Sequence, residues 1–216
     1  MTRIICIDPQ KPDLSIVNEA VGVIRAGGVI VFPTDTLYGL GTDALNEEAI
    51  SRVYEIKGRD FSMPLLVLIG EEGQLRELVP SIPPIAQELI GIFWPGPLTL
   101  ILQASAVLPP RLLGGSSRIG VRLPASPLVQ RLAIETEGPI TGTSANFSGH
   151  PTPHTAREVL EGLGKGIDLT LDGGPCASEK GSTLLDVTRI PPLLLREGEL
   201  SEVSIEKKIG PLAKDL

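Results

Sequence analysis

The chain is poor in the residues that support several common activities. Its 216 residues include only 2 cysteines and 2 histidines, and aromatic residues make up 3% of the composition. The two cysteines form no spacing motif, which favours a cytoplasmic protein with free thiols. The scarcity of aromatic side chains argues against a stacking platform for single-stranded nucleic acid.

Long hydrophobic runs and an excess of basic residues are missing as well. No apolar run approaches the roughly 20 residues of a membrane span, and the N-terminus reaches Asp8 too soon for a signal peptide. No membrane partner is therefore expected. The 19 basic and 26 acidic residues give a net charge of −7. This charge argues against a general nucleic-acid coating protein but leaves room for a local basic pocket.

The common nucleotide-binding and hydrolase signatures are also absent. Residues 162–166 have the wrong spacing for a phosphate-binding P-loop and no Ser or Thr after the lysine. Residues 142–146 resemble a nucleophile elbow, but an asparagine replaces the second glycine. Both histidines, His150 and His154, follow in the same segment, separated by two prolines that prevent a metal-binding helix.

Hydrophobic patterning predicts interleaved strands and helices. The predicted helices span 15–26, 46–57, 71–79, 84–93, 127–136, 155–163 and a short tail from 201. The predicted strands span 3–7, 29–32, 64–69, 98–102, 118–122, 140–141, 167–171, 182–187 and 193–196. Several strands follow one another directly near both ends, which indicates a mixed sheet with helices packed on it. We predict one α/β domain over residues 1–216.

Three polar segments are candidates for binding a small ligand. Lys57 and Arg59 flank a glycine at the exit of a predicted helix. They suit a polyphosphate clamp, and the alternative is a simple pairing with the dipole at the helix C-terminus. Residues 33–41 offer several hydroxyl groups in a loop bounded by glycines, and residues 144–149 form a third polar loop. Ordinary turn chemistry is the alternative for both loops.

Taken together and in order, these segments resemble the YrdC-like domain family. The matching segments are 32–41, 57–59, 93–99, 120–124, 144–146, 172–175, 182–183 and 195–198. Each motif is weak alone, but the ordered set is specific and covers about residues 12–200. The resemblance implies a three-layer YrdC/RibB-like fold, in which a twisted mixed β-sheet is flanked by helices.

The same resemblance implies a reaction in which ATP, L-threonine and bicarbonate or CO2 give threonylcarbamoyl-AMP and pyrophosphate. The product would pass to a separate transferase that modifies tRNA, and a weak contact of this chain with tRNA itself is left open. The attacking carbamate and the phosphates are both anionic, so the site needs cations. Mg²⁺ would be carried by ATP and not by protein side chains. No His or Cys nucleophile is required.

The resemblance also assigns roles to individual positions. Lys57 and Arg59 are expected to be catalytic and to hold the triphosphate at the surface of a cleft. Further contacts to the nucleotide are expected from Arg118, Asn146 and Arg196. Contacts to threonine are expected from Thr36, Arg122, Ser144 and Ser182, with the Arg122 guanidinium suited to the carboxylate.

Five positions depart from the pattern common in this family: Asp60, Met63, Leu68, Ser126 and His154. Asp60 places a negative charge beside the expected clamp, Met63 replaces a nucleotide contact, and His154 is a candidate contact of its own. These departures keep a catalytically altered paralogue as an alternative function. An RNA-binding module is a second alternative, which the net charge disfavours. A carbamoyl-transfer component of hydrogenase maturation is a third, which the chain length disfavours.

Overall fold

The computed structural model describes residues 2–176 and 178–213. Its helices are α1 (Leu14–Arg25), α2 (Glu47–Lys57), α3 (Leu75–Leu78), α4 (Pro84–Phe93), α5 (Pro110–Leu113), α6 (Pro127–Glu135), α7 (Ala156–Leu163) and α8 (Glu202–Ile209). Its strands are β1 (Arg3–Cys6), β2 (Ile30–Pro33), β3 (Tyr38–Gly41), β4 (Val67–Leu68), β5 (Leu98–Gln103), β6 (Arg118–Arg122), β7 (Ile140–Thr141), β8 (Thr143–Ser144), β9 (Leu169–Asp172), β10 (Thr183–Asp186) and β11 (Leu193–Arg196). Within the described ranges, every helix is too short or too polar to cross a membrane.

The boundaries of α2 are set by residues with strong capping preferences. The Asn46 side chain accepts a hydrogen bond from the Ala49 amide at 3.1 Å, which satisfies one of the free N–H groups at the helix start. At the other end Gly58 adopts a left-handed conformation with φ 55°, which is the usual way to end a helix. The chain therefore changes direction between Lys57 and Arg59.

The strands form two mixed sheets. The first has the order β1-β9-β2-β3-β8, and the second has the order β11-β10-β5-β6-β4-β7. In the first sheet β1, β9 and β2 are parallel, while β3 and β8 are antiparallel to their neighbours. In the second sheet the β10–β5 and β6–β4 pairs are parallel and the other pairs are antiparallel.

The two sheets meet where the chain passes from β7 to β8. Only Gly142 separates these two strands. The Thr141 amide donates to the Thr42 carbonyl at 2.8 Å, which ties β7 to the end of β3. A Cβ atom on Gly142 would lie 2.3 Å from Leu68 Cγ. A glycine is therefore required for β4 to pack against the junction.

Two clusters of buried apolar side chains stabilise this arrangement. One packs α1 and α6 against the first sheet and includes Ile24, Phe32 and Leu132. The larger cluster packs α2 and α4 against both sheets and includes Val53 and Leu100. Full burial of a side chain of this size contributes roughly 1.5–3 kcal/mol to folding.

The predicted mixed α/β fold is confirmed, with the strands in two sheets joined at Gly142. The strands predicted over 118–122 and 193–196 have those bounds. The strand predicted over 64–69 shrinks to Val67–Leu68, because the neighbouring main chain bonds to α5 and to Gly142 instead. The helix predicted over 71–79 splits into a 3-10 turn and α3. Strands β3 and β8 and helix α5 have no counterpart among the predicted elements, because they are short and rich in glycine, threonine or proline.

Candidate functional site

A cavity of about 490 Å³ opens where the two sheets meet, and strands of both sheets line it. Its apolar floor consists of Leu66, Leu68, Ile101 and Leu184, with Gly120 among them. A Cβ atom on Gly120 would lie 3.1 Å from Leu66 and 3.2 Å from Ile101. The floor is therefore flat at this glycine, and the walls around it carry the polar groups.

One wall is held by strands, and we call it the strand-anchored wall: Thr36, Arg122, Ser182 and Arg196. Arg122 ends β6, and its side chain is 5% exposed. Its Nε donates to the Gly96 carbonyl at 2.9 Å, and its Nη1 donates to Thr36 Oγ1 at 3.0 Å. These bonds fix the guanidinium plane.

The third nitrogen of Arg122 faces a carboxylate. Nη2 lies 2.6 Å from Asp35 Oδ1, so the two side chains form a buried ion pair. Burial lowers the pKa of Arg122 and the Asp35 carboxylate opposes this shift, so the guanidinium stays charged. A charged guanidinium that is fixed in the cavity lining is a good partner for a small carboxylate.

Ser182 and Arg196 come from the neighbouring strands of the same wall. Ser182 precedes β10, and its hydroxyl lies 2.7 Å from Thr99 Oγ1. Arg196 ends β11 and donates from Nη2 to the Ser182 carbonyl at 2.8 Å. Burial and then the charge of Arg122 lower the pKa of Arg196. Because the positive charges of Arg122 and Arg196 repel each other, an anion that binds between them stabilises both guanidinium groups.

A second group of residues depends on a loop, and we call it the loop-anchored wall: Lys57, Arg59, Ser144 and Asn146, of which Arg59 and Ser144 line the cavity. The Ser144 hydroxyl donates to Asn146 Oδ1 at 2.6 Å, and Asn146 Nδ2 donates to the His150 carbonyl at 2.6 Å. Ser144 lines the cavity, while Asn146 lies behind it outside the lining. The two side chains are therefore coupled, although only one faces the cavity.

Lys57 does not lie at the surface of the cleft, so that expectation is wrong. The residue is 1% exposed. Its ammonium donates to the carbonyl of Ser144, to the carbonyl of Asn146 at 2.7 Å and to Asn146 Oδ1 at 3.3 Å. Burial and the nearby Arg59 charge lower the pKa of Lys57 to about 7. The loop carbonyls capture the side chain because Lys57 is the last residue of α2 and points at them.

Arg59 lies in the cavity lining, as expected. Its Nε donates to the Met63 carbonyl at 3.3 Å and its Nη2 to the Pro64 carbonyl at 3.0 Å. Burial lowers the pKa of Arg59, although a guanidinium remains charged. The two main-chain bonds hold this cation on the rim next to β4.

Arg118 is not among the lining residues. Its Nη1 lies 2.5 Å from Asp186 Oδ2, and the Asp186 carboxylate is fully buried. The amide and hydroxyl of Thr188 also donate to that carboxylate. Arg118 shares a strand face with Gly120 and Arg122 because side chains alternate along β6. Arg118 therefore lies outside the cavity, two residues along β6 from the floor residue Gly120.

The departures from the family pattern fall in different places. The Asp60 carboxylate is exposed and accepts from the Ser62 amide at 2.8 Å, which lowers its pKa. Met63 is 48% exposed and Leu68 is part of the cavity floor. The Ser126 hydroxyl is buried, with no hydrogen-bond partner among the described residues. His154 is outside the lining, and its amide donates to Glu158 Oε2 at 2.8 Å.

Sequence reasoning missed several polar lining residues: Thr34, Thr152, Glu179, Lys180 and Glu197. Thr34 could have been identified from the sequence, because it belongs to the same hydroxyl-rich segment as Thr36. In the structure the Thr34 hydroxyl accepts a hydrogen bond from the Thr36 amide. No sequence pattern marks Glu179 and Lys180 as lining residues, because only the tertiary fold brings their loop to the cavity. Among the described residues no group of three or more His, Cys, Asp or Glu side chains could hold a metal ion.

Comparison with known proteins gives a consistent picture. The sequence model of the Sua5/YciO/YrdC family, described as "Telomere recombination", matches residues 22–198. The chain is 44% identical to a threonylcarbamoyl-AMP synthase of Pyrococcus abyssi, over 98% of this chain and 62% of that protein. It is 39% identical to a putative threonylcarbamoyl-AMP synthase of Mycobacterium tuberculosis, over 98% of this chain and 96% of that protein.

A solved structure agrees with these sequence relatives. The crystal structure of Pyrococcus abyssi Sua5 complexed with L-threonine superposes with a TM-score of 0.94 at 41% identity, over 98% of this chain and 62% of that one. The chain therefore spans about three fifths of the length of the Pyrococcus relative and nearly all of the mycobacterial one.

Proposed function

The chain belongs to the Sua5/YciO/YrdC family, and from this premise we propose that it makes threonylcarbamoyl-AMP and pyrophosphate from ATP, L-threonine and bicarbonate or CO2. One observation carries the proposal. A single cavity combines a buried arginine, Arg122, with two further arginines, Arg59 and Arg196, around an apolar floor. The carboxylate of a small amino acid and a polyphosphate are both anionic, and the guanidinium groups in this cavity can pair with each.

L-threonine fits the strand-anchored wall. Its carboxylate pairs with the guanidinium of Arg122, which lines the cavity. The hydroxyl groups of Thr36, Ser144 and Ser182 surround the same space and bind the amine and the hydroxyl of the substrate. The apolar floor receives the threonine methyl group. That Sua5 of Pyrococcus abyssi was crystallised with L-threonine supports this assignment.

ATP fits the remainder of the cavity. Arg59 and Arg196 are lining cations and neutralise the triphosphate. Asn146 lies behind the lining and Arg118 beyond the floor, so both reach the nucleotide only where it extends past the cavity. We propose that Mg²⁺ enters on the triphosphate and balances its charge, because the described residues form no acidic cage of their own.

The reaction joins the two ligands through carbon dioxide. The threonine amine adds to CO2, forms an N–C bond and releases a proton, which leaves a carbamate. A carbamate oxygen then attacks the α-phosphorus, the new P–O bond forms, and the bond to the β-phosphate oxygen breaks to release pyrophosphate. The arginines offset the repulsion between these anions, and the protein otherwise contributes position. The acceptor of the product is a tRNA-modifying transferase, and the proposed location is the cytoplasm.

The test is pyrophosphate release by the purified protein with ATP, Mg²⁺ and bicarbonate, with and without L-threonine. We expect release that depends on threonine. Serine lacks one methyl group and should give a kcat/KM lower by roughly tenfold or more. Release without threonine would contradict the proposal. Binding of ATP with no release at all would favour a catalytically altered paralogue.

A further inference from the structure

We propose that Asp35 is a positioning residue for the amino-acid substrate: its carboxylate holds the Arg122 guanidinium in the orientation that receives the carboxylate of threonine. This inference rests on the proposed function and deepens it, because it names a group that makes a free carboxylate a requirement of the amine substrate. The expected site residues do not include Asp35, and Asp35 lies behind the cavity lining and not in it.

The two partners of this ion pair come from different sheets. Asp35 lies in the turn between β2 and β3 of the first sheet, and Arg122 ends β6 of the second sheet. Their side chains are 13% and 5% exposed, and 2.6 Å separates Asp35 Oδ1 from Arg122 Nη2. Opposite charges attract more strongly where water is excluded than at the surface. The pair therefore ties the β2–β3 turn to the end of β6 beside the cavity.

The guanidinium of Arg122 is held from three directions. Nε donates to the Gly96 carbonyl, Nη1 donates to Thr36 Oγ1, and Nη2 faces Asp35. A guanidinium is a rigid plane, so contacts at all three nitrogens fix its tilt and its rotation together. Of the three partners Asp35 alone carries a charge. It is therefore the partner whose loss should disturb the orientation of Arg122 most.

The turn that carries Asp35 is ordered by its own hydrogen bonds. The Thr34 hydroxyl donates to the Leu37 carbonyl at 2.7 Å and accepts from the Thr36 amide at 3.0 Å. These bonds close the turn around Asp35 and place Asp35 and Thr36 so that both reach Arg122. The carboxylate is thus aimed before any ligand arrives. A preorganised site of this kind spends less binding free energy on ordering its own groups.

The negative charge of Asp35 also offsets unfavourable terms at Arg122. Burial lowers the pKa of Arg122, and the Asp35 carboxylate opposes that shift. Arg122 in turn lowers the pKa of Arg196, which shows that the two cations of this wall repel each other. Without Asp35, this repulsion favours a displaced Arg122. A bond from a guanidinium to a carboxylate depends on geometry, so the displacement should weaken threonine binding.

A competing role makes the opposite prediction. If Asp35 only competed with the substrate carboxylate for Arg122, removal of its charge would strengthen threonine binding. If Asp35 only stabilised the fold, its removal would weaken threonine and ATP alike. Positioning predicts weaker threonine binding with ATP binding retained, because the triphosphate cation Arg59 is held by the Met63 and Pro64 carbonyls and not by this turn.

The experiment is calorimetric titration of L-threonine and of ATP into wild-type protein, Asp35→Asn, Asp35→Ala and Asp168→Asn. Asp35→Asn keeps the size of the side chain and one acceptor oxygen but removes the charge. We expect the Kd for threonine to rise roughly tenfold in Asp35→Asn and further in Asp35→Ala, as small displacements of a binding group do. The Kd for ATP should stay within about twofold.

Asp168→Asn is the matched control. It removes the charge from an ion pair with Arg52, whose atoms are 2.8 Å apart and outside the cavity lining, and should leave both Kd values unchanged. Pyrophosphate release adds a kinetic readout. In Asp35→Asn the KM for threonine should rise while kcat at saturating threonine stays near that of wild type. Threonine affinity equal to or above wild type in Asp35→Asn, or equal losses for threonine and ATP, would overturn the inference.

A second measurement needs no variant. Crystal structures of the wild-type protein, free and with L-threonine, should both keep an Asp35 oxygen within about 4 Å of an Arg122 nitrogen, the usual limit of an ion pair. A threonine carboxylate that takes the place of Asp35 on Arg122 would overturn the inference. Wild-type protein that binds threonine and ATP but releases no pyrophosphate would instead contradict the proposed function, and the calorimetry and the two structures would still decide the role of Asp35.

Discussion

Both walls of the cavity present polar and charged groups to a ligand, but different parts of the structure position these groups. In the strand-anchored wall, Arg122 and Arg196 each end a strand, and main-chain carbonyls fix their guanidinium groups. In the loop-anchored wall, Ser144 and Asn146 depend on Lys57, which lies 87 positions earlier than Ser144 in the chain. Sheet register positions the first wall, whereas a few side-chain bonds position the second. A change in the first wall should therefore affect the binding of one substrate, and loss of the Lys57 contacts that hold Ser144 and Asn146 should affect both.

The largest expected effect comes from Arg122→Met in the strand-anchored wall. The change removes the partner of Asp35, whose side chain is 13% exposed. Leaving a buried charge unpaired costs about 3–5 kcal/mol of unfolding free energy, and threonine binding should fall at least ~100-fold through loss of a charge-assisted pair. Urea denaturation and calorimetry measure both. Arg131→Met breaks an exposed pair with Glu135 and should change stability by less than ~1 kcal/mol. Equal losses in the two variants would contradict the comparison.

The next effect comes from Arg59→Met in the loop-anchored wall. Charge-assisted hydrogen bonds contribute about 1.5–3 kcal/mol, so kcat/KM for ATP should fall by roughly 10–100-fold. Arg111 is a nearby matched control, because it stacks on Phe61 with 4.4 Å between guanidinium and ring and is outside the lining. Arg111→Met should leave the kinetics within about twofold. Normal ATP kinetics in Arg59→Met would contradict the assignment of Arg59 as a ligand of the triphosphate.

Gly142→Ala tests the boundary between the two walls. The added Cβ would lie 2.3 Å from Leu68, and overpacking of this kind costs about 1–3 kcal/mol. Because Gly142 joins β7 to β8, the KM values for both substrates should rise as well. Gly138→Ala meets no atom within 4 Å and provides the control. Unchanged stability in Gly142→Ala would show that the junction tolerates movement.

The smallest expected effect is that of Ser182→Ala. One hydrogen bond contributes about 0.5–1.5 kcal/mol, so the KM for threonine should rise by roughly 2–12-fold with the KM for ATP unchanged. Ser116→Ala, at an exposed turn where the hydroxyl bonds only to Arg118, should change neither value. A change in the KM for ATP would move Ser182 out of the threonine subsite.

The strand-anchored wall is the part that the sequence predicts well. Apolar alternation places strands over 118–122 and 193–196, and both strands end at the arginine that lines the cavity. The loop-anchored wall is harder to predict. Lys57 was correctly placed at a helix end, but its direction depends on the left-handed turn at Gly58 and on carbonyls distant in sequence. Local patterns do not contain that information, and the same holds for Lys180, which reaches the cavity through tertiary packing.

The most direct test of the whole account is the mass of the product formed from ATP, L-threonine and ¹³C-labelled bicarbonate. If one cavity brings the carbamate of threonine to the α-phosphorus, the product contains one labelled carbon, one threonine and one AMP, and it forms together with an equal amount of pyrophosphate. Formation of ADP and phosphate, or of AMP without a labelled threonine adduct, would contradict the account.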